Sequence, residues 1–180
     1  MLIAQKLRKK NIAEYLIYMW QVEDLLRAND LDIDKIRKNI SSQFDQPEEV
    51  QQQITEWYES LIEMMRAENV QKQGHLALNN NVIIQLTDLH LALLKSGKHA
   101  DYSALYYKAL PYIVELRAKS DNINLPEIET CFSALYGFML IKMKGDTVSE
   151  ETQQAIKQIS SLLAVLALKF AQDENEELEL

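Results

Sequence analysis

The residues able to carry chemistry are few and widely spaced. The three histidines are His75, His90 and His99, and none has a glutamate three residues before it or a histidine four away. That spacing removes the paired Glu-x-x-His pattern of di-iron bundles and the HExxH pattern of zinc proteases. On one straight helix His75 and His90 would lie about 22 Å apart along the axis, too far to share an ion. Cys131 stands alone in an apolar stretch, where a thiol acts as a small inert hydrophobe. No Gly-x-Ser-x-Gly elbow or GxGxxG loop occurs, and Ser96-Gly97-Lys98 lacks the upstream glycine and following hydroxyl of a phosphate-binding loop. No catalytic residue, cofactor-binding residue or metal ligand is expected, and no cofactor.

Two polar groupings remain. Glu14, Tyr18 and Gln21 fall on one side of an otherwise apolar helix, since Glu14 and Gln21 are separated by about 20° around the axis. A carboxylate drawn inward there would anchor a ligand with a raised pKa. The plainer account is that this side reaches water, or that Glu14 pairs with an arginine such as Arg117. The second grouping is Tyr102, Tyr106, Tyr107 and Tyr112, half of the chain's eight tyrosines within one helix. Pro111 interrupts that helix and frees the carbonyl of Tyr107. Such a helix forms a pocket wall or a protein-binding face, or packs into the core with its hydroxyls at the edge. Glu56-Trp57-Tyr58-Glu59 reads as part of a core stripe carried by Trp57, with Tyr58 beside it.

The elements that would hold these residues are helical throughout. Apolar residues recur at steps of three and four, and no segment sustains a period of two. A first helix follows Asn11 and Glu14 and runs over 12–26, ended by Asn29 and Asp30. A short second one, capped by Asp30 or Asp32, aligns Ile33, Ile36, Ile40 and Phe44. Pro47 opens a third with the stripe Val50, Ile54, Trp57, Leu61 and Met64, closed by Gly74. Val82, Leu86, Leu89 and Leu93 mark a fourth, ended by Gly97. The fifth covers 100–119, the sixth runs from Pro126 to Gly145, and the seventh, capped by Thr147 or Ser149, aligns Ile156, Ile159, Leu163, Leu166 and Phe170. Stretches 12–26 and 131–143 are apolar on nearly every side, which predicts two central, buried helices. Gly137 within the latter predicts close approach of another helix backbone.

The fold class is therefore all-α: a single-domain bundle of about seven helices over 1–171, with a disordered acidic tail at 172–180. With 180 residues, 47% apolar and 26% charged, the chain can bury one core. Four glycines and three prolines are too few for a many-stranded sandwich, and one cysteine excludes a disulfide framework. Asp173, Glu174, Glu176, Glu177 and Glu179 carry most of the net charge of −8. That balance argues against nucleic-acid binding through bulk positive charge. Lys6, Arg8, Lys9 and Lys10 precede an apolar stretch that Glu14 breaks, so no signal peptide is read; the apolar run Leu162–Leu168 is too short for a membrane span, and the expected location is cytoplasmic. The basic start reads as an ordinary exposed segment, with an amphipathic membrane anchor as its alternative.

The first helix, Ile12-Ala13-Glu14-Tyr15-Leu16-Ile17-Tyr18-Met19-Trp20-Gln21-Val22-Glu23-Asp24-Leu25-Leu26-Arg27-Ala28, resembles the opening of a bacterial family of about this length that carries only a domain-of-unknown-function label. The resemblance spans essentially the whole chain. It implies an all-helical fold and supplies no activity, substrate or catalytic residue. Two functional readings follow from the residues. The first is a non-catalytic helical protein acting through a protein partner or as a homodimer. The alternative is a small-molecule binder, or an enzyme, with an interhelical pocket lined by Glu14, Tyr18, Gln21 and tyrosines of the fifth helix. Whether Glu14 points inward separates the two.

Overall fold

The computed structural model describes residues 2–40, 47–119 and 125–180. Every regular element among them is helical: α1 (Leu2–Lys10), α2 (Ile12–Ala28), α3 (Ile33–Asn39), α4 (Glu48–Ala67), α5 (Ala77–Ser96), α6 (Ala100–Lys119), α7 (Glu127–Met143) and α8 (Glu150–Glu174). Among the described residues eight helices replace the expected seven or so, because the basic start, too polar to show an apolar stripe, is itself the helix α1. The helix anticipated as fifth is thus α6. Phe44 lies outside the described residues.

The chain gathers into two compact units. The first combines α1 with Glu14–Asn81, and the second combines Asn11–Ala13 with Val82–Leu180. In the first unit α2 buries Leu16, Met19, Trp20, Val22 and Leu26. It stops where Asp30 and Leu31 adopt left-handed φ of 58° and 54°, and the Leu31 N–H returns to the Leu26 carbonyl. A leucine in that region costs about 1–2 kcal/mol, offset here by burying its side chain. Asp32 then caps α3 by accepting from the N–H groups of Asp34 and Lys35. α3 packs on α4, whose first turn places Glu48 and Glu49 at the positive end of its dipole.

The buried side of α4 is rotated from the expected stripe. Ile54, Tyr58, Leu61, Ile62 and Met65 are buried, whereas Val50, Trp57 and Met64 are only half-buried. Two apolar stripes one residue apart exist in this sequence, and tertiary packing selects between them.

In the second unit α6, α7 and α8 pack pairwise. α8 buries Ile156, Ile159, Leu163, Leu166 and Phe170 as their spacing predicts, and Ser149 is its cap. By length and mean hydropathy (1.2 over 18 residues) α8 is able to cross a membrane, but its apolar row is buried within the protein. α7 departs from the expectation of a central helix. Only its beginning is buried, at Ile128, Thr130, Cys131 and Phe132. Residues 134–140 are half-buried, and Ile141 and Met143 are exposed. No atom lies within 4 Å of a Cβ built on Gly137, so the predicted close backbone approach is absent among the described residues. Apolar side chains on every side do not by themselves enclose a helix.

The last helix reaches into the segment expected as a tail. α8 continues to Glu174, past the start assigned to the tail. Lys98 Nζ donates to the Leu180 carbonyl at 2.7 Å, and the His99 Nε2–H donates to that of Glu179 at 2.9 Å.

Candidate functional site

α6 is the element on which most of the singled-out residues converge. Gly97, with φ of 68°, turns the chain out of α5, and α6 then lays Tyr102 back against His90. His90 is 2% exposed, with Nδ1 2.6 Å from the Tyr102 hydroxyl and Nε2 3.6 Å from Glu127 Oε2. The rings of Tyr102 and Tyr106 both meet the imidazole edge-on, with centroids at 5.7 and 5.0 Å. Burial lowers the His90 pKa below the usual histidine value, against the opposing pull of Glu127. The neutral ring therefore accepts the Tyr102 hydroxyl proton at Nδ1 and carries its own proton on Nε2, toward the carboxylate.

Glu127 completes this cluster. Its Oε1 lies 3.8 Å from Arg117, which also donates to the Leu125 carbonyl. Burial, then the hydrogen bond to Glu127, push the Tyr106 phenol up to about 12. Burial likewise pushes the Cys131 thiol up to about 12, Glu127 adding to it. A neutral imidazole, a protonated thiol and two protonated phenols make no activated nucleophile. What the cluster does is join α5, α6 and α7 through the His90–Tyr102 hydrogen bond and the charged contacts of Glu127.

A second cluster, in the first unit, was not anticipated. Glu23 is fully buried and accepts three hydrogen bonds: from His75 Nδ1 at 2.6 Å, Asn79 Nδ2 at 2.6 Å and the Leu76 backbone N–H at 2.9 Å. His75 stacks on Trp20, centroids 4.2 Å apart. Glu68 accepts from the Ala77 N–H. Two carboxylates thus satisfy free N–H groups at the positive end of α5, where negative charge is favoured. Arg27 fastens the preceding loop through the carbonyls of Val70 and Gly74. The inward carboxylate of α2 is Glu23, nine residues beyond Glu14 and so about half a turn away on the opposite side. The signal was present: Leu16, Met19, Glu23 and Leu26 step by three, four and three, and a carboxylate interrupts an apolar stripe.

The other expected site residues are divided. Glu14 is exposed, and Tyr18 and Gln21 are half-buried on α2. Burial, and after it Tyr58, push the Tyr18 phenol up to about 12. Tyr102 and Tyr106 join the His90 cluster. Tyr112 lines a cavity of about 80 Å³ between α6 and α8 with Glu115, Lys119 and Glu151. Larger cavities of about 350 and 420 Å³ lie beside Asp30, Glu59 and Arg66 and beside Asp88, Phe170 and Asp173. Among the described residues no three His, Cys, Asp or Glu side chains are grouped to hold a metal.

Tyr107 points the other way. It is 66% exposed, and Val114, two turns on, is 56% exposed. With Ala104, Pro111 and Ala118, also exposed, they form an apolar stripe at steps of three and four along the outer side of α6. Tyr102, Ala109 and Ile113 are buried on the inner side. α6 is apolar on two opposite faces, and only one is covered. Asp101, Lys108, Glu115 and Lys119 flank the open stripe.

The family described as a domain of unknown function (DUF4924) matches residues 1–177. No curated protein matches the chain. No solved structure matches it either.

Proposed function

The chain belongs to this family, and we propose that it works without covalent catalysis, by laying the outer face of α6 against a helix of another protein surface. The observation that carries this reading is the open stripe Ala104, Tyr107, Pro111, Val114 and Ala118. Single exposed apolar side chains are ordinary, but a row in register over four turns is the pattern by which helices pair. Tyrosine at its centre suits an interface, where a large rigid ring gains area at small entropic cost. The exposure of Glu14 weighs in favour of this reading over a pocket built on α2. A single cysteine leaves no disulfide within the chain, in keeping with a cytoplasmic location.

A photo-reactive amino acid in place of Tyr107, illuminated in the producing cells, tests the reading. Adducts of discrete mass are expected, and they disappear when Val114→Asp is added. The same probe at exposed Lys144 serves as control. Absence of adducts at Tyr107, or equal yields at both positions, overturns the proposal.

A further inference from the structure

Resting on that reading, we propose that the occupant of the α6 face is a second copy of this chain, its α6 antiparallel and centred on Pro111. The charges beside the stripe carry the argument. In chain order they are Asp101, Lys108, Glu115 and Lys119: negative, positive, negative, positive. At 100° per residue all four fall within about 40° of one another, on the same flank. Reversing the helix direction turns this series into positive, negative, positive, negative, its own complement.

An antiparallel two-fold about Pro111 brings like flanks together, as two copies of one surface must meet in a closed dimer. Lys108 of each copy then lies within about 1.5 Å, along the axis, of the level of Glu115 of the other, twice over. Asp101 falls within about 3 Å of the level of Lys119, inside side-chain reach and also twice, and Ala104 lies opposite Ala118, which lets the backbones approach at both ends. Tyr107 and Val114 fill the space between. A parallel two-fold would turn the charged flanks away from each other and leave the pattern without use. Lys108 and Asp101 are exposed. Glu115 and Lys119 pair within the helix at 2.5 Å, but with side chains 44% and 71% exposed they remain open to a second partner. Glu151 of α8 adds negative charge near Lys119 and favours a cation there.

Sedimentation of the full chain tests the pairing by charge reversal. The wild type is expected at twice 20.9 kDa. Lys108→Glu and Glu115→Lys each place like charges across both symmetry-related contacts and weaken the dimer by about tenfold or more. Mixing the two variants, or combining them in one chain, restores it. Circular dichroism shows that each variant folds. Pro111→Cys crosslinks to itself on oxidation, whereas Ala104→Cys does not, because its two copies lie about 21 Å apart along the axes.

A wild type that stays monomeric at high concentration overturns self-pairing. If the Tyr107 probe still yields an adduct of another mass, the docking face stands and only its occupant changes. A dimer indifferent to both reversals uses another surface. Weakening by both variants without rescue on mixing rejects the antiparallel register.

Discussion

At the scale of single residues, the two buried polar clusters have different physical roles. Glu23 neutralises the end of a helix dipole and holds three donors with no access to water. Removing it leaves a backbone N–H, an amide and an imidazole without an acceptor, so Glu23→Ala is expected to cost about 3 kcal/mol in urea denaturation. Glu14→Ala, on the exposed opposite side, should cost far less. His90 makes stability depend on pH. Its folded pKa is depressed, so the native state holds the ring neutral while the unfolded chain takes up a proton below about pH 6.5. The stabilisation is complete above that pH and is lost as pH falls through the window between the unfolded and folded values. Unfolding free energies at pH 7.5 and 5.5 should therefore differ less in His90→Phe than in the wild type.

At the scale of elements, the apolar periodicity of α8 and of the second half of α5 translated directly into buried rows, because each helix has one dominant stripe. α4, α6 and α7 did not behave so simply. α4 offers two neighbouring stripes, and packing buries the one through Tyr58. α6 offers two opposite ones, and only the stripe through Tyr102 is covered. α7 is apolar all round and leaves the far half of its length partly open. Gly137 lies in that open half with room for a methyl group and no positive φ. Gly137→Ala is accordingly expected to stabilise the protein by about 0.5–1 kcal/mol through helix propensity. A loss of stability in thermal melts would reveal a neighbour against this face.

At the scale of the molecule, association and folding are linked. If two copies bind through α6, the melting temperature rises with protein concentration by mass action. Val114→Asp should abolish that dependence while leaving the melting temperature of dilute protein nearly unchanged, since Val114 is exposed. Increased salt should weaken the association, because its flanking ion pairs lie at the rim.

The sequence by itself determined the helical class, most helix boundaries and the absence of familiar catalytic motifs. These rest on local matters: a period near 3.6, capping side chains and the spacing of reactive residues within one segment. Tertiary structure alone decided which stripe of a doubly apolar helix turns inward, and which polar residues meet. Glu23 and His75 are 52 residues apart, and their pairing arises only when α2 lies against the start of α5. The tyrosines show both sides of this division. Their concentration on one helix was legible as a string, yet the sorting of Tyr102 and Tyr106 inward and Tyr107 outward follows from where neighbouring helices bury surface. Burial is a property of the packed chain, and no single helix contains it.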